Sequence, residues 1–379
     1  MSKSNTYLVV TPFFPSSESF VGSYIFDQLN EIREQSNLEI KLVKIVSLFS
    51  NEKDYLFMKF QVKIFKTIDF PFFILPGSFN FINKLRFRSF LRQKNIENIK
   101  FCHSHVSYPS SYLVEDLECY KIIQHHGLDV LQLMNGRNEF IKNVQKRFLI
   151  RNTIKYLNNA DVNIGVSNLV LQQLRNYKTY NPKNEFVLYN GVDTSKFFKK
   201  EAAKNDVFTI GCVSNFWKIK DQITLIKSIQ KILKDEIEVK LRLIGSGPTL
   251  KTCKKYVVNN NLSKYIIFEE EIAHEELNDF YNSIDLFVLP SYYEALGCVY
   301  LEAWATNTPF VGIEGQGISE LISEKERKNI LAKEQSAESL KEKILIAYND
   351  RKIFPFDKRY DIKNTINEFL NYSFFCDNN

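Results

Sequence analysis

Two glutamates, Glu294 and Glu302, stand with seven residues between them in SYYEALGCVYLEAW (residues 291–304), a run that is otherwise almost entirely apolar. A carboxylate taken out of water costs several kcal/mol unless it meets donors, so acids in such a run call for sugar hydroxyls, a basic side chain or backbone amides. The surrounding order is a buried-strand pattern (DLFVLP), a loop with Glu294, a helix pattern from about Leu296 to Thr306, and a second buried-strand pattern (PFVGI). A loop at the carboxyl end of a strand is where open α/β sheets bind ligands. The helix shows no polar face, with Cys298, Leu301 and Ala305 on the side of Glu302, so Glu302 is expected to be buried. An internal ion pair is the alternative to a ligand contact there. Eight helical residues advance about 12 Å, the scale of the distance from a sugar to a ribose across a diphosphate. The amides around Leu296 and Gly297, at the helix start, suit an anion.

Other residues fit the same chemistry. VSNFWKIKDQ (residues 213–222) carries Lys218 and Lys220 after a buried-strand pattern. Such cations stabilise a departing diphosphate, although most lysines are simply solvated. Gly245 and Gly247 in LIGSGP mark a strand-to-helix turn, which either brings amides to a phosphate or ribose or serves the turn alone. Gly22, with Ser23, opens a helix pattern after the first strand and lets the backbone approach a diphosphate. Four of the five histidines form two groups, His103 and His105 in FCHSHVSYPSSYL and His125 and His126 in IIQHHGLDV. Zinc is disfavoured because no matching acids or C-x-x-C pair accompany them, and no metal is expected. A structural histidine is as good a reading of His105 as a catalytic part.

The elements that must position these residues follow from the pattern of the chain. Its 379 residues suit two domains, and 44% hydrophobic with 25% charged residues suits a folded globular protein. Short runs such as YLVVTPFF, KIIQHH, VNIGVS, FTIGCVS and KLRLIG alternate with helix-like segments, the pattern of a doubly wound α/β protein with parallel sheets. The polar stretch NGVDTSKFFKKEAAKND (residues 190–206) reads as the linker. The expected domains are residues 1–194 and 195–355, followed over 356–379 by a C-terminal helix with Ile362, Ile366, Phe369 and Leu370 at helical spacing, able to cross back to the first domain.

Composition excludes other classes. A net charge of +6 and a pI near 8.7 fall short of a nucleic-acid binder, so no nucleic acid is expected as a partner. Six cysteines without a C-x-x-C pair read as reduced, hence cytoplasmic. MSKSN runs into YLVVTPFFP with no export signal, and the apolar stretch DFPFFILPGSFNF (residues 69–81) is too short and proline-broken to span a bilayer. Residues 55–100 hold Lys59, Lys63, Lys66, Lys84, Arg86, Arg88, Arg92, Lys94 and Lys100 against Asp69 and Glu97, interleaved with phenylalanines. That mixture suits peripheral contact with an anionic membrane, or a solvated basic face beside a core.

The segment EALGCVYLEA resembles the E-x7-E motif of retaining GT-B glycosyltransferases of family 4. YNGVDTSKF, RLIGSGPTL, AHEELNDFYNSIDLFVLPS and GQGISELI are similar to other segments of that family, in order over most of residues 160–325. The resemblance implies two Rossmann-like domains facing a cleft, with the second binding a nucleotide-diphosphate sugar, a UDP-sugar by preference, and no further cofactor. It implies that Glu294 and Ala295 to Gly297 hold the sugar and diphosphate, Glu302 the ribose, Lys220 the diphosphate and the main chain at Ile272 the base. Gly22 and His126 would act from the first domain, with His126 touching the donor sugar or acceptor. The implied reaction is front-face transfer with retention, to a glycan or lipid-linked oligosaccharide of cell-surface polysaccharide, in the cytoplasm or at the inner membrane face. Asn215 stands where the family has an arginine that neutralises the diphosphate. That departure keeps open a nucleotide-sugar-binding subunit without catalysis, beside an inverting GT-B transferase or epimerase.

Overall fold

Thr6–Thr11 forms β1, buried at every position as a strand covered on both faces must be. The structure, a computed structural model, describes residues 5–68, 77–127, 140–201, 205–350 and 354–372, with the backbone alone over 140–146. It divides into two units, residues 1–190 with 365–379, and residues 191–364. The division precedes the expected boundary at residue 194 because the linker start is tied to the far end of the chain. Val192 N–H donates to Tyr360 O at 3.0 Å, Ile362 N–H donates to Val192 O at 3.0 Å, and Thr194 hydrogen-bonds Asp361.

In the first unit β1 is followed by α1 (Ser23–Gln35), β2 (Glu39–Ser47), β3 (Tyr55–Phe57), β4 (Phe60–Thr67), α2 (Asn80–Gln93), β5 (Ile99–His105) and α3 (Ser110–Val114). Then come β6 (Tyr120–His125), α4 (Phe140–Asn159), β7 (Val162–Gly165), α5 (Asn168–Arg175) and β8 (Glu185–Val187). The sheet order is β3-β4-β2-β1-β5-β6-β7-β8, parallel except for the β3–β4 hairpin. The order reverses at β1, which pairs with β2 on one side and β5 on the other. Such a reversal opens a crevice at the carboxyl ends of the two strands flanking it.

The basic stretch proves to be a hairpin over residues 55–67 and a helix over 80–93, and residues 69–76 lie outside the described residues. β4 alternates buried positions with lysines, which hid it from a search for continuous apolar runs. Much of its charge is neutralised by acids from other parts of the chain. Lys59 pairs with Glu34 at 3.0 Å, Lys63 and Lys94 with Asp54 at 3.5 and 2.7 Å, Arg88 with Asp116 at 3.4 Å, and Lys84 with Glu115. On α2, Arg88 and Arg92 remain exposed. Asn83, Phe87 and Leu91 of that helix face the core, while Phe81 is 73% exposed and Ile82, Leu85, Arg88 and Arg92 are also exposed.

The second unit runs β9 (Phe208–Val213), α6 (Gln222–Lys234), β10 (Val239–Ile244), α7 (Leu250–Asn259), β11 (Ile266–Glu269), α8 (Leu277–Asn282) and β12 (Leu286–Val288). It continues with α9 (Cys298–Ala305), β13 (Phe310–Ile313), α10 (Glu324–Ile330), β14 (Leu331–Ala332) and α11 (Ala337–Asp350). Its parallel sheet has the order β11-β10-β9-β12-β13-β14, reversing at β9 in the Rossmann manner. α12 (Ile362–Leu370) starts in this unit, and its residues from Thr365 belong to the first. There Phe369 is fully buried, 6.0 Å from the His103 ring. Among the described residues no helix is long and apolar enough to cross a membrane, and the five cysteines are unbridged.

Candidate active site

In the second unit the chain leaves β9 and β12, neighbours at the reversal, through two loops that carry opposite charges. Lys220 ends a 3-10 turn, Lys218–Lys220, and its Nζ lies 2.5 Å from Glu294 Oε2. The side chains are 22% and 15% exposed, so the pair is sheltered yet reachable. Tyr292 N–H donates to Ile219 O at 3.1 Å and ties the two loops together. A third segment fixes the acid: Glu294 N–H donates to Gln316 Oε1 at 2.8 Å, and Gly317 N–H donates to Glu294 O at 3.0 Å. A Cβ on Gly317 would sit 1.8 Å from Ala295 O, so only glycine permits this approach. Gln316 and Gly317 were quoted in the sequence as part of GQGISELI without a role, since nothing local marks a clamp on a loop more than twenty residues earlier.

Gly297, at φ 81°, turns the chain into α9, whose Tyr300 to Trp304 are buried. No residue of the helix is exposed, as the apolar pattern implies. Helix starts only at Cys298, so it contributes about 6 Å of axial rise before Glu302, and the expectation of eight helical residues between the acids is corrected. The glycine and the loop before it make the rest of the path. Glu302 is 8% exposed. Tyr281 Oη donates to its Oε2 at 2.8 Å, and His274 Nε2 lies 3.9 Å from Oε1. Burial, and next the charge of Glu302, hold the Tyr281 phenol well above its ordinary pKa, so it stays a donor. Neither Tyr281 nor His274 was singled out in the sequence, where only the neighbouring residue patterns around AHEELNDFYNS were visible.

The other residues expected on the donor side each have their own surroundings. Asn215 is exposed, and its backbone carbonyl accepts from Gln222 Nε2 at 3.0 Å and Trp217 N–H at 2.8 Å. Lys218 is exposed beside it. Ile272 is half-buried in the segment ahead of His274. At Gly245, Gly247 and Gly22 the space a Cβ would take is filled by the chain's own backbone at Ser214, Phe216 and Phe13, so packing of the turn already demands these glycines. Ala295 and Leu296 are buried in the loop between Glu294 and the helix.

In the first unit, the carboxyl ends of β5 and β6 bring together four histidines, of which His103, His105 and His126 stack ring to ring. His103 Nδ1 lies 2.6 Å from Tyr7 Oη, and the His103 and His105 rings stack at 4.2 Å. His105 Nδ1 lies 2.9 Å from His126 Nε2, whose ring is 4.7 Å from Tyr24. His125 turns the other way, toward Ser107 at 2.9 Å and Asn163 at 3.2 Å. Burial, then the neighbouring His126, pulls His103 down to about 3, and burial, then His103, holds His105 well below the usual imidazole range. Both are neutral. Gly22 begins α1, the helix that carries Tyr24. Among the described residues no group of three His, Cys, Asp or Glu could hold a metal ion.

Comparison with known proteins agrees with this architecture. Residues 193–367 match the model of glycosyl transferases group 1, and residues 43–196 that of glycosyltransferase family 4. An uncharacterized glycosyltransferase of Methanocaldococcus jannaschii is 28% identical over 69% of this chain and 69% of its own. The N-acetyl-alpha-D-glucosaminyl L-malate synthase of Bacillus anthracis is 28% identical over 60% of this chain and 59% of its own. The alpha-monoglucosyldiacylglycerol synthase of Streptococcus pneumoniae is 27% identical over 49% and 46%, so the chain matches about half the length of that relative. Among solved structures, sucrose-phosphate synthase from Thermosynechococcus elongatus superposes with a TM-score of 0.73 at 16% identity, covering 98% of this chain and 96% of that one. HepE from Anabaena, in complex with UDP and glucose, superposes with a TM-score of 0.70 at 16% identity, covering 98% and 99%. With two successive family models spanning residues 43–367 and two reversing parallel sheets, the chain belongs to the group 1, family 4 glycosyltransferases and has the GT-B fold.

Proposed function

We propose that the protein is a retaining hexosyltransferase that moves a sugar from a nucleotide-diphosphate sugar, a UDP-sugar by preference, to a glycan or lipid-linked acceptor in cell-surface polysaccharide synthesis. The observation that carries this reading is Glu302, a carboxylate 8% exposed in a helix without a polar face and hydrogen-bonded by the Tyr281 phenol. A carboxylate has about four acceptor sites, so one phenol leaves room for the two hydroxyls of a ribose. Glu294 then orients hydroxyls of the sugar. Lys220 and the first-turn amides of α9, which have no intrahelical acceptor, meet the charge that grows on the departing diphosphate. In front-face transfer the acceptor oxygen bonds to the anomeric carbon on the face that the diphosphate leaves. The acceptor proton passes to a diphosphate oxygen, and the configuration is retained. The complex of HepE with UDP and glucose supports a UDP-sugar as the first donor to try.

A thermal-shift screen of UDP, GDP, ADP and their sugar conjugates tests the donor site. Stabilisation by one nucleotide family, lost in Glu302→Ala, is the expected result; no shift with any of them overturns it. Proton NMR of the product then reads the anomeric configuration, and an inverted product rejects retention.

For the acceptor, the exposed face of α2 supports a lipid-linked molecule at the inner face of the cell membrane. Phe81, Ile82 and Leu85 form an apolar end and Arg88 and Arg92 a basic one, the mixture that settles in an anionic headgroup layer. Co-sedimentation with phosphatidylglycerol vesicles, weak with phosphatidylcholine and lost in Phe81→Glu with Leu85→Glu, is expected. Equal recovery of wild type and variant removes the membrane from the reading.

A further inference from the structure

We propose that a cavity of about 400 Å³ at the amino ends of β2 and β4 binds a phosphate-bearing anion, either the headgroup of an acidic lipid or a soluble phosphate compound. Arg33 is its anchor. None of the residues assigned to donor or acceptor lines this cavity.

The cavity opens where two neighbouring strands part. β2 starts at Glu39 and β4 at Phe60, but their ladder begins only at Leu42↔Val62, so the first residues of each strand lie outside it. Five cations line the opening, Arg33, Lys41, Lys59, Lys63 and Lys94, against one acid, Glu39. Glu39 pairs with Lys41. Acids outside the cavity hold the other lysines, Glu34 pairing with Lys59 and Asp54 being shared by Lys63 and Lys94. Among the described residues, five cations are thus met by three carboxylates, and Arg33 is in none of the ion pairs. Its Nη1 donates to Lys59 O at 2.9 Å, and its guanidinium lies 5.7 Å from the centre of the Phe60 ring. A carbonyl and an aromatic face fix the plane of the guanidinium without neutralising it, and most of its five N–H donors stay open. A planar fork held in this way matches two oxygens of a phosphate. A concave wall with an excess of one charge also raises the local concentration of the opposite ion. Leu38, Ile40, Phe60 and Ile96 give the same wall an apolar part, which suits an ester better than a bare inorganic ion. The volume is that of a small-molecule site, in the range of about 300–1,000 Å³. Its place separates it from the reaction. Gly22 and His126 follow the carboxyl ends of β1 and β6, a strand's length away, roughly 20 Å or more.

The probe is inorganic pyrophosphate, titrated calorimetrically at low ionic strength into the full chain carrying Lys220→Ala, which removes the donor-side cation. Binding is expected to persist there and to weaken about tenfold or more when Arg33→Gln and Lys59→Gln are added, both side chains being exposed. Lys240→Gln with Lys264→Gln, the same change of charge on the second unit, is expected to leave it unaltered. Loss of all binding with Lys220→Ala alone overturns the proposal, because the donor site then accounts for everything. Equal weakening by the two pairs of substitutions overturns it too, because net charge then suffices. In the wild-type chain, pyrophosphate should slow acetylation of Lys59 and Lys94 but not of Lys264; unchanged rates at the first two overturn the proposal without any variant. UDP binding is expected to survive Arg33→Gln with Lys59→Gln, so this site and the donor site fail separately. Phosphatidylglycerol vesicles distinguish the two sources of phosphate. Co-sedimentation weakened by Arg33→Gln with Lys59→Gln, and not by Lys240→Gln with Lys264→Gln, identifies a lipid headgroup. Unchanged co-sedimentation beside lost pyrophosphate binding identifies a soluble phosphate compound.

Discussion

Lys220 Nζ sits 2.5 Å from Glu294 Oε2, across loops that leave the neighbouring strands β9 and β12 where the sheet order reverses. Each residue satisfies the other, and on the proposed reading a diphosphate sugar would meet both a cation and an acceptor already in place. Lys220→Ala removes the cation and strands a half-buried carboxylate. Turnover is expected to fall by roughly 10²- to 10³-fold, and stability by about 1–3 kcal/mol, less than for a fully buried pair. A urea-unfolding double-mutant cycle with Glu294→Gln checks the second figure; additive effects would show that the ion pair contributes nothing to folding.

The clamp on Glu294 makes a separate prediction. Gln316→Leu leaves the Glu294 N–H without its acceptor, at a cost of about 1–3 kcal/mol. Gly317→Ala forces a methyl toward Ala295 O, at 1.8 Å before relaxation, and so displaces the loop. Both variants should lower kcat more than they raise KM for the donor, since neither side chain is expected to touch it. Steady-state kinetics with wild-type values in Gly317→Ala would mean the loop relaxes freely.

Tyr281 holds Glu302, and Tyr281→Phe leaves a buried carboxylate without that donor. A loss of about 1.5–3 kcal/mol is expected, together with a smaller stabilisation by nucleotide in thermal-shift measurements. The pH dependence follows from the raised phenol pKa. Above pH ~10 the unfolded chain gives up this proton and the folded one does not, so wild-type stability declines there. The Phe variant should lack that part of the decline.

The histidine stack acts at the other end of the scale. His103 and His105 are held neutral, with folded pKa values below the ordinary 6.5 or so. Their contribution is complete above about pH 6.5 and is lost as pH falls toward 3, because only the unfolded chain binds the protons. Each imidazole removes about 1.4 kcal/mol per pH unit across that range. Urea midpoints at pH 7.5, 6 and 5 should fall accordingly, and His105→Asn should fall less steeply. A flat profile would mean that the folded stack takes up protons.

Burial of Glu302 was legible without coordinates, because a helix with no polar face has nowhere solvated to put its acid, and the α/β class was legible from runs of β-branched and aliphatic residues. Among the strands that went unread, β2 and β4 set lysines between core residues on the side of the sheet that ends in the β3–β4 hairpin. The cations of residues 55–100 looked free because their partners Glu34, Glu115 and Asp116 are remote in the chain, and only folding brings them near.

What the sequence determined by itself was local: which segments bury themselves, where strands end in loops, and which loops carry an acid, a cation or glycine. What the tertiary structure decided was pairing. Lys220 against Glu294, Gln316 on the Glu294 amide, Tyr281 on Glu302 and His105 on His126 join residues between 21 and 74 positions apart. Residue type and spacing constrain one element at a time, whereas hydrogen bonds between elements depend on strand order and loop path. Those are settled by the packing of the whole domain.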